Sequence, residues 1–105
     1  MLAKINETAL LVGYFSYPEF NVCRVLRPKV ERMVTAFDSI KFLYIDIHRY
    51  PQISGQFIVF AVPTIIVLRN GKELRRISRH ISVGELKSFL DRIVQLQGEE
   101  DENSR

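Results

Sequence analysis

Val62-Pro63-Thr64-Ile65-Ile66-Val67-Leu68-Arg69-Asn70-Gly71-Lys72-Glu73-Leu74-Arg75-Arg76-Ile77-Ser78 is a β-hairpin entered through an isolated proline. Thr64 to Arg69 is apolar and β-branched almost throughout, the composition of a strand covered on both faces. Asn70-Gly71 is the pair that favours a type I′ turn, because both central positions of that turn need positive φ. Lys72 to Ser78 then returns as a second strand, and strands joined by two residues pair antiparallel.

Upstream, Ala9 to Phe15 is another near-continuous apolar run that predicts a buried strand, preceded by a helical stub over Met1 to Glu7. From Asn21 to Phe37 the apolar residues Val22, Leu26, Val30, Met33, Val34 and Phe37 follow helical spacing, with Pro28 expected to kink the helix. Ile40 to Ile47 is aromatic and β-branched and predicts a strand. Tyr50 to Phe57 predicts a short helix with Pro51 in its first turn. Downstream of the hairpin, Ser82 and Glu85 form a capping box and Ile81 can staple against Leu86. Leu86, Phe89, Leu90, Ile93 and Val94 then give the last helix one apolar face. Helical crossovers between the early strands imply parallel, right-handed pairing, and the hairpin adds an antiparallel edge. The expected fold class is α/β, a mixed four-stranded sheet with helices on both faces.

A chain of 105 residues, 47% hydrophobic and 26% charged, has the balance of one globular domain. Residues 1–98 are expected to form it, with 99–105 an acidic disordered tail. No apolar segment is long enough to cross a bilayer and the start lacks a basic region followed by a long apolar stretch, so a cytoplasmic location is expected. The single cysteine excludes an internal disulfide framework, and with only two histidines there is no metal-ligand spacing; neither a metal nor a cofactor is expected. Of 15 basic and 12 acidic residues, one and four lie in residues 99–105, leaving 14 against 8, a balance of +6. Arg69, Lys72, Arg75, Arg76 and Arg79 cluster around the hairpin. An anionic partner, nucleic acid included, is one reading of that cluster; a solvated sheet edge shielded by its charges is the other. No aromatic stacking motif or helix-turn-helix signal supports nucleic acid.

The only cysteine stands in Tyr17-Pro18-Glu19-Phe20-Asn21-Val22-Cys23-Arg24-Val25-Leu26-Arg27-Pro28, at a helix start. That placement, the order of elements and Val62-Pro63-Thr64 resemble the thioredoxin superfamily over residues 9 to 97. Thioredoxins carry Cys-Gly-Pro-Cys, then a basic residue, and a helix proline five residues after the second cysteine. Arg24 and Pro28 match these, so Phe20-Asn21-Val22-Cys23 occupies the motif. The resemblance puts Phe20 at the exposed nucleophile and Cys23 at the shielded resolving position. It puts Tyr14 and Tyr44 where the family has a buried aspartate and a lysine, Glu19 at the flanking tryptophan, and Arg79 at a groove glycine. It also implies a cis Val62-Pro63 bond beside Cys23, with Phe20 partly exposed and the main chain at Val62 available to an extended substrate segment.

A resolving thiol without a nucleophile cannot complete a dithiol cycle. The expected function is therefore a thioredoxin-like binding or scaffolding domain that has lost oxidoreductase activity, with a protein or peptide partner in the Cys23/Pro63 groove. One alternative is a monothiol redox protein acting in cell redox homeostasis through Cys23; another is an anion- or nucleic-acid-associated module built on the basic hairpin. As residues alone, Cys23 reads as a small buried hydrophobe, and Tyr14 and Tyr44 as core or cross-strand partners. His48 and His80 are expected in solvent. The resemblance also implies a shortened N-terminus, since thioredoxins usually carry a strand and a helix before the equivalent of Ala9 to Phe15. With only eight residues before Ala9, the 40–47 strand is expected to form a homodimer through its edge or to be covered by the Met1 to Glu7 segment.

Overall fold

The computed structural model describes residues 2–18, 21–78 and 80–103, and the side chains among them except those of residues 2, 21–24 and 97–103. Elements run α1 (Leu2–Glu7), β1 (Leu10–Ser16), α2 (Asn21–Thr35), β2 (Lys41–Asp46), α3 (Pro51–Gln56), β3 (Thr64–Arg69), β4 (Lys72–Ser78) and α4 (Val83–Asn103). The strands form one mixed sheet in the order β2-β1-β3-β4. β1 pairs parallel with β2 and antiparallel with β3, and β3 pairs antiparallel with β4.

The unbroken apolar runs are explained by the middle of this order. Along β1, Leu10, Val12 and Tyr14 point to one face and Leu11 and Phe15 to the other; along β3, Ile65 and Val67 oppose Ile66 and Leu68. The first face is covered by Val30 and Val34 of α2 and by Leu86 and Leu90 of α4. Ile5 of α1 covers the second, with Ile53 of α3 and Phe57 packed against it. Side chains of a strand alternate between faces, so two central strands flanked by helices on both sides are apolar except at their ends, where Ser16, Thr64 and Arg69 stand.

The hairpin turn has positive φ at both central residues, 50° at Asn70 and 84° at Gly71, as a type I′ turn requires. Asn6 of α1 lies against Gly71 where a Cβ would stand, so glycine is needed for space as well as for conformation. Asn70 N–H donates to the carbonyls of Thr8 and Ala9, both at 3.2 Å. These contacts correct one expectation: the N-terminal segment does not cover the β2 edge. Ile5 is an apolar anchor and finds its burial on the α3 face of the sheet, near the hairpin end, which draws α1 away from β2. α4 opens as the capping box predicts, with Glu85 N–H donating to Ser82 Oγ at 3.2 Å. It then runs to Asn103. Glutamate is a good helix former and no proline interrupts the run.

Candidate functional site

The Val62-Pro63 peptide bond is cis. Pro63 is buried at the entry to β3 and Val62 is half-buried. Thr64 closes this entry, its hydroxyl donating to the carbonyl of Ala61. The chain reaches the proline through an unusual turn. Phe57 packs its ring 6.0 Å from that of Phe15, after which Ile58 adopts φ 54°. A β-branched side chain in the left-handed region is sterically disfavoured, and such residues persist only where the surroundings impose them.

Arg76 of β4 is part of that surrounding. Its Nη1 donates to the carbonyl of Ile58 at 2.8 Å and its Nη2 to the carbonyl of Phe57. The same guanidinium is held by Glu73, with Nη2 2.8 Å from Oε1 and Nε 3.1 Å from Oε2. Past this clamp, Phe60 stands 92% exposed and Ile58 58% exposed, two residues either side of Val59 on the approach to the proline. Arg75 stacks over the ring of Phe89 at 5.0 Å. Arg75 and Arg76 of the basic hairpin are therefore both engaged within the chain.

On the α2 side, Asn21, Val22 and Cys23 form the first turn of the helix, where the dipole favours a thiolate over a thiol. The side chains of Asn21, Val22 and Cys23, and all of Glu19, Phe20 and Arg79, lie outside the described residues, as does the expected approach of Cys23 to Pro63. Further along α2 the structure is explicit. Tyr14 and Tyr44 are register partners between β1 and β2, their rings stacked at 6.1 Å and 25°. Phe42 lies 6.2 Å from Tyr14 on the same face, and Arg27 of α2 places its guanidinium carbon 3.8 Å from the centre of the Tyr44 ring. A cation above a stacked pair is a stable packing arrangement. The expected cross-strand role of both tyrosines is what the register gives them. His48 is exposed and stacks on Tyr17 at 4.8 Å, and His80 is exposed.

Four of these residues carry no motif and were not singled out from sequence as part of the site: Arg27, Ile58, Phe60 and Arg76. A signal for Phe60 was present, because Ile58-Val59-Phe60-Ala61-Val62 is too apolar for an ordinary solvated connection. Arg76 looked like any other charge of an edge strand.

Comparison with known proteins agrees with this geometry. The thioredoxin family model matches residues 2–92. The chain is 32% identical over 89 residues to Thioredoxin H2 of Arabidopsis thaliana, a match that takes in 85% of this chain and 63% of that protein. It is 30% identical over 83 residues to the thioredoxin-like protein YdfQ of Bacillus subtilis, covering 79% of this chain and 74% of the relative. The chain thus spans less than two thirds of the plant protein's length. Among solved structures, thioredoxin 1 of Thermosipho africanus superposes with a TM-score of 0.78 at 30% identity, over 84% of this chain and 98% of that one. The thioredoxin of Fasciola hepatica gives a TM-score of 0.74 at 26% identity, over 87% and 86%. With a mixed sheet in the order β2-β1-β3-β4, a cis proline entering its hairpin and a family match over most of its length, this chain belongs to the thioredoxin family.

Proposed function

We propose that this chain is a cytoplasmic thioredoxin-fold binding module that takes extended polypeptide segments at the cis-Pro63 ledge and does not carry out dithiol-disulfide exchange. The observation that carries this reading is the presence of one cysteine in 105 residues. Exchange proceeds by attack of one thiolate on the substrate disulfide, giving a mixed disulfide, and then by attack of a second thiol of the same protein on that mixed disulfide. Cys23 alone can take part in one of these steps and not in both. The stacked Tyr14–Tyr44 pair under Arg27 supports the reading, because a tyrosine phenol is a poor base near neutral pH and cannot replace a carboxylate in moving the thiol proton.

What the ledge can still do is bind. A cis proline turns the preceding main chain outward, where an extended segment can pair with it by strand addition. Phe60 offers an exposed ring beside that main chain, suited to an apolar side chain of the guest. As to the compartment, no helix among the described residues is long and apolar enough to cross a membrane.

A second reading is supported by the position of Cys23 in the first turn of α2: a monothiol that forms mixed disulfides and relies on an external thiol to resolve them. Reduction of insulin disulfides, followed with dithiothreitol and separately with glutathione, distinguishes the two. The binding module gives no turnover above background in either, for the wild type and for Cys23→Ser alike. Turnover with glutathione that disappears in Cys23→Ser would establish the monothiol, and turnover with dithiothreitol alone at the rate of a two-cysteine thioredoxin would overturn both.

A further inference from the structure

We propose that β2 is a pairing edge whose partner is a second copy of this chain, joined antiparallel about a two-fold axis at Leu43. The sheet order leaves two edges, β2 and β4, and they are built differently. β4 exposes Lys72, Glu73, Leu74, Arg75 and Arg76, its pairing with β3 shifts register between Val67 and Leu68, and Arg76 is folded back onto the Phe57–Ile58 carbonyls. Charges, a register irregularity and a covering loop are the devices that keep an edge from recruiting another strand. β2 carries charges only at its two ends and no register irregularity. Its register with β1 is continuous from Lys41 to Asp46, and between those two charges stand Phe42, Leu43, Tyr44 and Ile45.

The direction of the main chain follows from one hydrogen bond. Ile47 N–H donates to Ser16 O at 2.9 Å, so Ile47 faces β1. Successive residues of a strand alternate in the direction of their main-chain groups, so Leu43 and Ile45 also face β1 while Phe42 directs its N–H and C=O outward. The side chains are sorted as well. Phe42 and Tyr44 pack on the face that holds Tyr14, and Leu43 and Ile47 on the face that holds Ile5.

A two-fold axis normal to the sheet keeps each face on its own side, so residues opposed across the axis must share a face. Centring the axis on Leu43 meets this condition. Phe42 then lies opposite the partner's Tyr44, continuing the aromatic row begun by Tyr14, and Leu43 lies opposite the partner's Leu43 on the other face. Aromatic and aliphatic pairs of this kind are favourable cross-strand neighbours. Charge selects the orientation. Antiparallel pairing about Leu43 sets Lys41 opposite the partner's Ile45 and Asp46 opposite the partner's Ile40, so like charges stay apart, whereas parallel in-register pairing would align lysine with lysine and aspartate with aspartate.

Sedimentation equilibrium of the full chain at micromolar concentration tests this together with two variants. The wild type sediments as a dimer. Phe42→Pro deletes the outward N–H, a change that an edge strand tolerates, and it keeps a folded circular-dichroism spectrum while sedimenting as a monomer. Leu43→Cys in a Cys23→Ser background places one thiol on the axis, and mild oxidation converts that variant to a covalent dimer. If Phe42→Pro does not fold, the Leu43→Cys variant decides alone. A monomeric wild type, a folded Phe42→Pro that remains dimeric, or a Leu43→Cys variant that oxidises no faster than the same thiol introduced at Glu73 on β4 would overturn the proposal.

Discussion

The two segments of the site have kept different things. On the β3 side the backbone feature survives: the Val62-Pro63 bond is cis, the proline is buried and the turn before it is held by Arg76. On the α2 side the helix is present and Tyr14 and Tyr44 stack beneath Arg27; in the register that the resemblance implies, Phe20 falls at the nucleophile position and these tyrosines at the two proton-handling positions. The difference teaches which parts of such a site the fold itself requires. A buried proline at the entry of a central strand is part of the core, so losing it would cost stability whether or not anything binds. A surface cysteine, or a carboxylate buried beneath it, contributes to function alone and costs desolvation in the meantime. An aromatic pair under a guanidinium fills the space between α2 and the sheet without that cost.

The sharpest way to break this comparison is to replace the aromatic stack with the group the family carries there. Tyr14→Asp puts a carboxylate back beneath α2, but it removes a fully buried ring from the stack with Tyr44 and Phe42 and places a charge in its stead. A loss of about 3–5 kcal/mol of stability is expected, read as a lowered midpoint in urea, with no disulfide-reducing activity gained. A variant as stable as the wild type would mean that the aromatic stack is not what the α2 side has come to depend on.

A smaller effect of the opposite sign is expected on the β3 side. Ile58 holds φ 54° with its side chain mostly in solvent, so Ile58→Gly relieves a conformational penalty of about 1–2 kcal/mol and sacrifices little packing. Glycine returns part of that through the greater freedom of its unfolded chain, leaving a net stabilisation of about 0.5–1 kcal/mol in the same urea experiment. Destabilisation instead would show that the ring and aliphatic contacts around Ile58 outweigh its backbone strain.

How much of this was legible in the sequence follows the same divide. Thr64–Arg69, Lys72–Ser78 and the Asn70-Gly71 turn could be read with their boundaries, because alternation of burial and the chirality of a two-residue turn are local rules. The buried runs of β1 and β3 announced a sheet covered on both faces. The N-terminal helix was harder. Its six residues carry one decisive side chain, Ile5, and nothing in Leu2–Glu7 says which apolar surface Ile5 will reach. At the site, Pro63 could be found because proline restricts its own backbone, and Tyr14 and Tyr44 because they sit in strands of fixed register. Arg76 could not, since a clamp onto carbonyls 18 and 19 residues away in sequence is a tertiary contact with no local pattern.

The central claim, binding at the ledge without thiol chemistry, is tested most directly by adding insulin B chain with carboxymethylated cysteines to isotope-labelled protein and following the backbone amides. The blocked peptide cannot form a disulfide, so any response reports binding alone. The account predicts that the amides of Phe60, Ala61, Val62 and Thr64 shift on titration, that Cys23→Ser shifts equally, and that Phe60→Ala binds several-fold more weakly while remaining folded. Amides at 60–64 that do not move, or a response that disappears in Cys23→Ser, would contradict it.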